Sequence, residues 1–498
     1  MRYRGPVSLF LAVFLLGAVQ LRAQFIEDAL RMATPPDAVS ARSAAMGNAF
    51  TGVADDFSAI YWNPAGLGQL RASEFALGLT SLNVSTDASF LGTTRNATES
   101  TLHLNSIGMA LPFPVARGSL VFAGGYQRLV NFAGASSFGG YNRNSSILTS
   151  QFDNEIDYDL SYNLNLQDTT LFNPTYLGFP IRNNVQQDAE IFESGNLGMW
   201  SFGGSMEVAP ATYVGLSLNI LSGTYIWDRT FIETDPLGVH TGTVIAGPQY
   251  DATGFVKLRI EENLDQTISG WNAKLGFLYR FKEIARFGVG VQTPTMVTVS
   301  ETYSKSGRSD FLDNQGPYGY TYRVPTMTSE YDVTTPWVLT VGASVRPVDF
   351  VNISADAELT DFTQLEFDNA TSADLLERNK DIRRELRQTT NFRGGIEVKV
   401  PQTDLFVRGG FRYQFSPYEA DKEISEYNVM TISAGLGYMF DNSFLLNLTW
   451  VQSKVQSFSY AYLPPETQVL GENIPVSSYS YDTDLSRTWL MLSMNYLF

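Results

Sequence analysis

The chain closes on Thr488-Trp489-Leu490-Met491-Leu492-Ser493-Met494-Asn495-Tyr496-Leu497-Phe498. In a strand every second side chain shares a face, so Leu490, Leu492, Met494, Tyr496 and the terminal Phe498 line one side. A strand that crosses lipid needs such an apolar face over about 9–11 residues. It must also belong to a closed sheet, because hydrocarbon satisfies no backbone group. The ending therefore predicts an all-β protein, a transmembrane antiparallel β-barrel.

The other terminus fits an exported barrel. Arg2 and Arg4 precede an apolar run from Val7 to Val19, and Leu21-Arg22-Ala23 supplies a small-residue cleavage point. Residues 1–23 read as a signal peptide, since the run falls short of the roughly 20 residues of a membrane-spanning helix. Beyond it nothing approaches such a helix, so membrane residence has to come from strands. Aromatic residues make up 13% of the chain and glycines number 41, which suits interfacial girdles and a curved wall. The formal charge of −17 becomes more negative without the leader arginines, which argues against a nucleic-acid partner. With no Cys, disulfides, thiolate metal sites, a lipid-anchored cysteine and a cysteine nucleophile are excluded.

Period-two alternation bounded by turn residues predicts strands near 74–83, 101–111, 118–130, 197–209, 211–227, 266–281 and 285–301. Seven more follow near 335–347, 350–366, 388–400, 404–418, 426–440, 443–460 and 484–498, which makes fourteen. Short turns at Pro114, Pro210, Lys282-Glu283, Pro347, Pro401 and Asp441-Asn442 alternate with long connections, as periplasmic turns alternate with outer loops. The extracellular loops are expected at 131–196, 228–265, 302–334, 367–387 and 461–483 within a barrel of residues 73–498. Segments 251–262 and 319–331 also alternate. They are read as hairpin arms projecting beyond the membrane, with sixteen strands as the alternative. A soluble β-sandwich explains neither the C-terminal strand nor the strand lengths. Residues 24–72 do not alternate and are expected to fold as an N-terminal hatch, a plug inside the lumen.

That region carries Ala41-Arg42-Ser43-Ala44-Ala45-Met46-Gly47-Asn48-Ala49-Phe50-Thr51-Gly52-Val53-Ala54-Asp55-Asp56-Phe57-Ser58-Ala59-Ile60-Tyr61-Trp62-Asn63-Pro64-Ala65-Gly66-Leu67. The stretch closely resembles the hatch of FadL-type outer-membrane transporters, at that family's position just before the first strand. The resemblance implies a fourteen-stranded barrel in the outer membrane of a Gram-negative-type bacterium. It implies passive uptake of hydrophobic small molecules such as long-chain fatty acids, no catalysis and no cofactor. The family's route runs from an outer apolar groove to a pocket beside the hatch and leaves sideways at a kink in the third strand. Gly124-Gly125 is the candidate for that kink, although Gly203-Gly204, Gly394-Gly395 and Gly409-Gly410 also sit in strands.

Chemistry assigns the motif residues roles that need no family. Pro64 fixes its own φ and biases Asn63 away from helix, Asn63 can bond nearby backbone, and Gly66 relieves the turn, which together make an elbow beside Ala65. Gly47 and Gly52 admit close backbone approach, while Asp55 and Asp56 can pair with lumen cations or cap the next turn. These eight residues are the candidate gating set, against a plug that is merely structural. In the longest loop, Phe172, Leu177 and Phe179 either capture an apolar ligand or pack the loop.

Weaker signals remain. Asp153, Glu155, Asp157 and Asp159 have enough oxygens for calcium without EF-hand spacing, and a solvated acidic loop is the simpler reading. Residues 373–387 form an amphipathic pattern with Leu375, Ile382 and Leu386 on one face; its arginines face either lipopolysaccharide phosphates or solvent. His103 and His240 lie in no hydrolase setting, and Gly288-Val289-Gly290 lacks the rest of a dinucleotide fingerprint. The expected partners are an apolar ligand and outer-membrane lipid, with a monomeric barrel. A polar-solute porin conflicts with the hatch. A non-transporting scaffold or shuttle for secreted proteins is the alternative, and a packed lumen would favour it.

Overall fold

The computed structural model describes residues 26–498 apart from 37, 150–154, 169–177, 248–249, 370–373, 420–427 and 463–474. The signal-peptide reading of 1–23 lies outside the described residues.

Fourteen antiparallel strands close on themselves. They are β1 Glu74–Phe90, β2 Thr93–Phe113, β3 Leu120–Asn131 continued by Gly134–Asn142, β4 Val185–Ala209, β5 Thr212–Thr234, β6 Phe255–Phe281 and β7 Ala285–Gln292 continued by Met296–Asp313. Then come β8 Met327–Thr334 continued by Val338–Val348, β9 Val351–Asp361, β10 Gln388–Lys399, β11 Leu405–Gln414, β12 Val429–Phe440, β13 Phe444–Tyr460 and β14 Ser480–Leu497. Each pairs with its neighbours in sequence, and β14 returns to β1 from Glu74↔Leu497 to Ser89↔Asp482. Closure leaves no long edge in the wall, which is what lipid demands of a sheet.

The alternation read at the C-terminus appears as predicted. Leu490, Leu492, Tyr496 and Phe498 are exposed on the outside, whereas Trp489, Met491 and Ser493 are buried inward. On β5 the outward Val214, Leu216, Leu218 and Ile220 alternate with the buried Tyr213, Ser217 and Asn219. Exposed aromatics such as Trp200, Trp271, Phe277, Phe287, Trp337 and Phe411 belong to the same band. This apolar outer surface, inverted relative to a water-soluble sheet, is a lipid-facing wall.

On one side the strands run well past the membrane. β4, β5 and β6 have 25, 23 and 27 residues, against 11, 12, 10 and 12 for β9 to β12. Much of 185–196, 228–234, 255–265, 302–313 and 327–334, expected as loop, is therefore strand. Segment 251–262 is mostly the outer end of β6 and no separate arm. Of 319–331, Gly316–Arg323 is a hairpin arm paired with β7, and the remainder begins β8. The count is fourteen, not sixteen. Inside this projecting wall Phe90, Phe138, Phe231, Phe255, Phe311 and Tyr481 form one buried cluster with residues of the long loop, including helix Glu155–Asn163. The barrel mouth is thus covered by an apolar core of its own.

The expected kink at Gly124-Gly125 is not observed. Both residues are in unbroken pairing with β2 (Met109, Gly108) and β4 (Phe202, Ser201). β3 instead parts from β2 after Ser106↔Gln127, slips register against β4 between Arg128 and Val130, and breaks before Gly134. Beyond Asn105, β2 pairs with β1 alone. Asn131 spans this seam by side chain, donating from Nδ2 to Thr101 Oγ1 at 3.0 Å and lying 3.1 Å from His103 Nδ1. A Cβ at Gly124 would meet Phe202 at 3.2 Å, and one at Gly125 would meet Ile107 O at 2.4 Å and the Phe57 ring of the hatch at 2.7 Å; at Gly108 it would lie 2.0 Å from that ring. Overpacking explains why glycine occupies positions 108 and 125.

Candidate functional site

The described N-terminal segment folds into α1 Ile26–Ala33, α2 Ala41–Ala45, α3 Ala59–Trp62 and a 3-10 turn Pro64–Gln69. Ser40 caps α2 by accepting from Ser43 N, and Glu27 and Asp28 open α1 while Arg31 closes it, in accord with the helix dipole. These elements are bonded to the inner wall nearly all the way round. Asn105 donates to Val39 O, Ser205 to Ala65 O, Lys274 to Tyr61 O, Arg412 to Pro36 O and Thr449 to Ala41 O, at 2.7 to 2.9 Å. Asp356 receives Phe50 N and Thr51 N at 2.9 and 2.8 Å. The segment is a plug inside the lumen.

The motif residues sit at its seams with the wall. Gly47 has φ +62°, and a Cβ there would meet Phe411 backbone at 2.6 Å, so only glycine fits by both criteria. Gly52 abuts Ala343 backbone and Gly66 abuts Ala54, each closer than a side chain permits. Asn63 is fully buried: Nδ2 donates to Thr51 O and Phe277 O, both at 3.0 Å, and Oδ1 accepts Ala65 N at 3.2 Å. Pro64 starts the 3-10 turn, where a backbone N–H would have no partner and proline has none. Pro64 and Ala65 rest against Gly215 of β5 and Gly276 of β6. The elbow expected from sequence exists, and it is docked.

Asp55 is bound on two sides, 2.7 Å from Arg42 and 2.8 Å from Arg286, with Arg346 at 3.8 Å. Arg42 continues to Glu397 at 2.9 Å, and Glu397 to Arg408 at 2.6 Å. Burial alone would raise the Asp55 carboxyl, but the two arginines outweigh it and hold the group well below the usual carboxylate range. Asp56, farther from Arg42 at 3.3 Å and bonded to Ser58 N and Oγ, is raised by burial. Neighbouring acids in the motif thus have opposite characters, set by cation distance. Sequence reading found Asp55 but missed Glu397 and Asp356, which lie hundreds of residues from the hatch groups they bind, and with them the bridging role of Arg42.

Above the docked elbow is a cavity of about 60 Å³, lined by the hatch residues Met32, Pro35, Pro36, Tyr61 and Trp62, and on the wall by Leu129, Leu197, Met199, Leu221, Lys274, Glu358 and Arg393 among others. Its roof is α1, whose Ile26, Ala29 and Met32 pack on Leu197, Met199, Leu221 and Ile268. The volume holds a few waters, and it is below the roughly 150 Å³ of an apolar cavity that binds benzene. Beside Asn63-Pro64-Ala65 the lumen is packed, with these residues fully or almost fully buried. Of the capture candidates, Phe172 and Leu177 lie outside the described residues, and Phe179 is 1% exposed within the outer core, so it packs the loop. The acidic stretch is partly undescribed, and no acidic or imidazole cluster among the described residues has metal-site geometry. In the helix Asp374–Glu385, Ile382 is buried, as is Leu386 just beyond it, while Arg383 and Arg384 are exposed and paired with Glu366, Asp381 and Glu385.

A closed fourteen-strand barrel plugged by its own N-terminal segment defines the class: hatch-plugged membrane barrels. No family model matches the chain, and no curated protein does. Among solved structures it is similar to a FadL homologue of Pseudomonas aeruginosa, at 11% identity and TM-score 0.54, covering 93% of this chain and 98% of that one. It is also similar to the toluene transporter TodX of P. putida, at 14% and 0.53 over 93% and 99%. The Ralstonia pickettii toluene transporter TbuX gives 17% and 0.50 over 93% and 99%. The chain has the FadL-type fold, and the resemblance seen in residues 41–67 holds at that level.

Proposed function

We propose that the chain is a transport protein of a Gram-negative-type outer membrane, embedded in its lipid and lipopolysaccharide and passing hydrophobic small molecules inward by diffusion. Long-chain fatty acids are the class the hatch motif implies, and compact aromatic compounds are the class implied by the names of the toluene transporters that share the fold. No catalysis and no cofactor enter the reading. The observation that carries it is the cavity between α1 and the Tyr61-Trp62 step of the hatch, apolar on the Leu129, Leu197, Met199 and Leu221 side. The β2–β3 seam reaches the same place, since Leu129 lines the cavity and lies within the register slip.

In this reading Gly47, Gly52, Asp55, Asp56, Asn63, Pro64, Ala65 and Gly66 hold the cavity floor. The ion pairs fix the hatch to the wall, so the movement that admits a ligand belongs to α1 and Thr34–Pro36. Native mass spectrometry of the purified barrel is the test. Stoichiometric retention of an apolar compound is expected. The scaffold reading draws on the packed lumen beside Asn63-Pro64-Ala65. It gains if no apolar compound is retained and a secreted protein co-purifies.

A further inference from the structure

Away from the lumen, the projecting wall carries a larger cavity, a cleft of about 310 Å³ whose lining is polar almost throughout. Strand register places it. Glu190 of β4 and Glu261 of β6 share an outward row with Arg323 of the hairpin arm, and Phe192, Asp228 and Asn263 share the next. Between these rows Arg229, Glu262 and Lys305 point inward and pair there, each cation 3.4 Å from Glu262. The cleft therefore opens on the outer surface of the barrel and not into its mouth. Below it the apolar band ends at Ile220, Trp271 and Met296, and the row above that edge is Ser222, Ser269 and Thr298. From Trp271 to Asn263 the wall rises about 20 Å, at about 3.3 Å per residue along a strand tilted by about 40°. The cleft thus lies beyond the hydrocarbon, at the height of the sugars that cover an outer leaflet.

Its side chains offer both halves of a hydrogen bond. Glu190, Asp228 and Glu261 accept, Arg323 donates, and Asn263 and the serine and threonine hydroxyls of the lining do both. Asp228 takes one bond from Asn263 Nδ2 and Glu261 one from Arg259 Nε, both at 2.8 Å, which leaves acceptor capacity on each. Among the described residues the side chains of Glu190 and Arg323 have no ion pair. Phe192, 51% exposed, sets an uncovered apolar ring beside Glu190 and Asp228. Three carboxylates against one arginine repel a phosphate, and an apolar molecule would strip water from these groups and replace none of their bonds. We infer that the cleft binds an uncharged oligosaccharide, one ring stacked on Phe192 with its hydroxyls on Glu190 and Asp228, and the chain continuing over Glu261 and Asn263 toward Arg323. The row from Glu190 to Arg323 crosses four strand spacings of about 4.8 Å, which is too wide for a single ring. The inference rests on the outer-membrane part of the transport reading and adds a partner to it, either the glycan of the surrounding lipopolysaccharide or a free oligosaccharide.

The probe is the sugar core of lipopolysaccharide, released by mild acid, dephosphorylated, and titrated calorimetrically into the full chain in phospholipid nanodiscs. One equivalent is expected to bind. Glu190→Ala and Phe192→Ala alter an exposed face, so both variants should fold, and each should weaken binding about tenfold, the scale of one hydrogen bond to a charged group. Purification from cells with complete and with core-less lipopolysaccharide separates the two sources. Retention of the complete form alone makes the membrane's own glycan the ligand, and binding of the released core without retention makes it a free oligosaccharide; either supports the inference. Equal retention of both forms, inorganic phosphate bound as tightly as the core, binding that neither variant weakens, or no binding overturns it. Uptake of an apolar compound should be unchanged in both variants, and it reports on the transport reading whether or not the saccharide binds.

Discussion

At the residue scale the hatch is secured by charges that would be costly if left alone. Asp55 faces Arg42 and Arg286, so Asp55→Asn leaves two buried arginines short of a partner; truncating one member of a buried pair costs about 3–5 kcal/mol. The expected result is a folded barrel whose hatch is cut faster by protease than in the unaltered chain. The sign of the pH dependence follows from the direction of the shift. A carboxyl held below its ordinary value, near 4, contributes fully above that value and loses its contribution only as pH falls through the lower, folded one. The part of hatch protection that Asp55→Asn removes should therefore be flat from neutral to mildly acid pH and collapse only in strong acid. Loss of protection between about pH 5 and 7 would contradict it. Gly108→Ala should cost about 1–3 kcal/mol by driving a methyl into the Phe57 ring, and Phe57→Leu should recover part of that, a coupling readable in a double-mutant cycle.

At the element scale the elbow and α1 have separable roles. Asn63→Ala leaves Thr51 O and Phe277 O without their buried donor, at about 1–3 kcal/mol, and loosens the floor of the cavity. With Pro64 also replaced, ligand uptake should fall while the barrel still folds; unchanged uptake would remove the elbow from the mechanism. Met32→Ala, in the roof, should cost about 2–5 kcal/mol and enlarge the cavity, so ligand retention in native mass spectra should extend to bulkier compounds. The elements themselves were legible wherever the outer face meets lipid, because Leu490, Leu492 and Tyr496 alternate with inward residues as only a spanning strand requires. Outside the membrane the same strands carry Asp188, Glu190, Glu261 and Asn263 on polar faces, and that removes the signal. Those stretches read as loop for that reason.

At the scale of the whole molecule, the elbow of the hatch could be read locally because Asn63-Pro64-Ala65-Gly66 is a turn whose conformation its own residues dictate. The cavity could not. Trp62, Lys274, Glu358 and Arg393 come from one hatch step and three distant strands, and only closure of the barrel brings them together. The Gly124-Gly125 reading met a related limit: a glycine pair signals space, and what borders it, Phe202 at one and the Ile107 backbone with Phe57 at the other, is a long-range fact. The central claim is that this plugged barrel lets a small, largely apolar molecule through. The measurement that tests it most directly is the uptake rate of a radiolabelled apolar compound by intact Gram-negative cells producing the full chain, compared with cells lacking it. Faster uptake that is lost in the folded Asn63→Ala, Pro64→Ala variant is predicted. An equal rate with the barrel folded in the outer membrane would contradict the account.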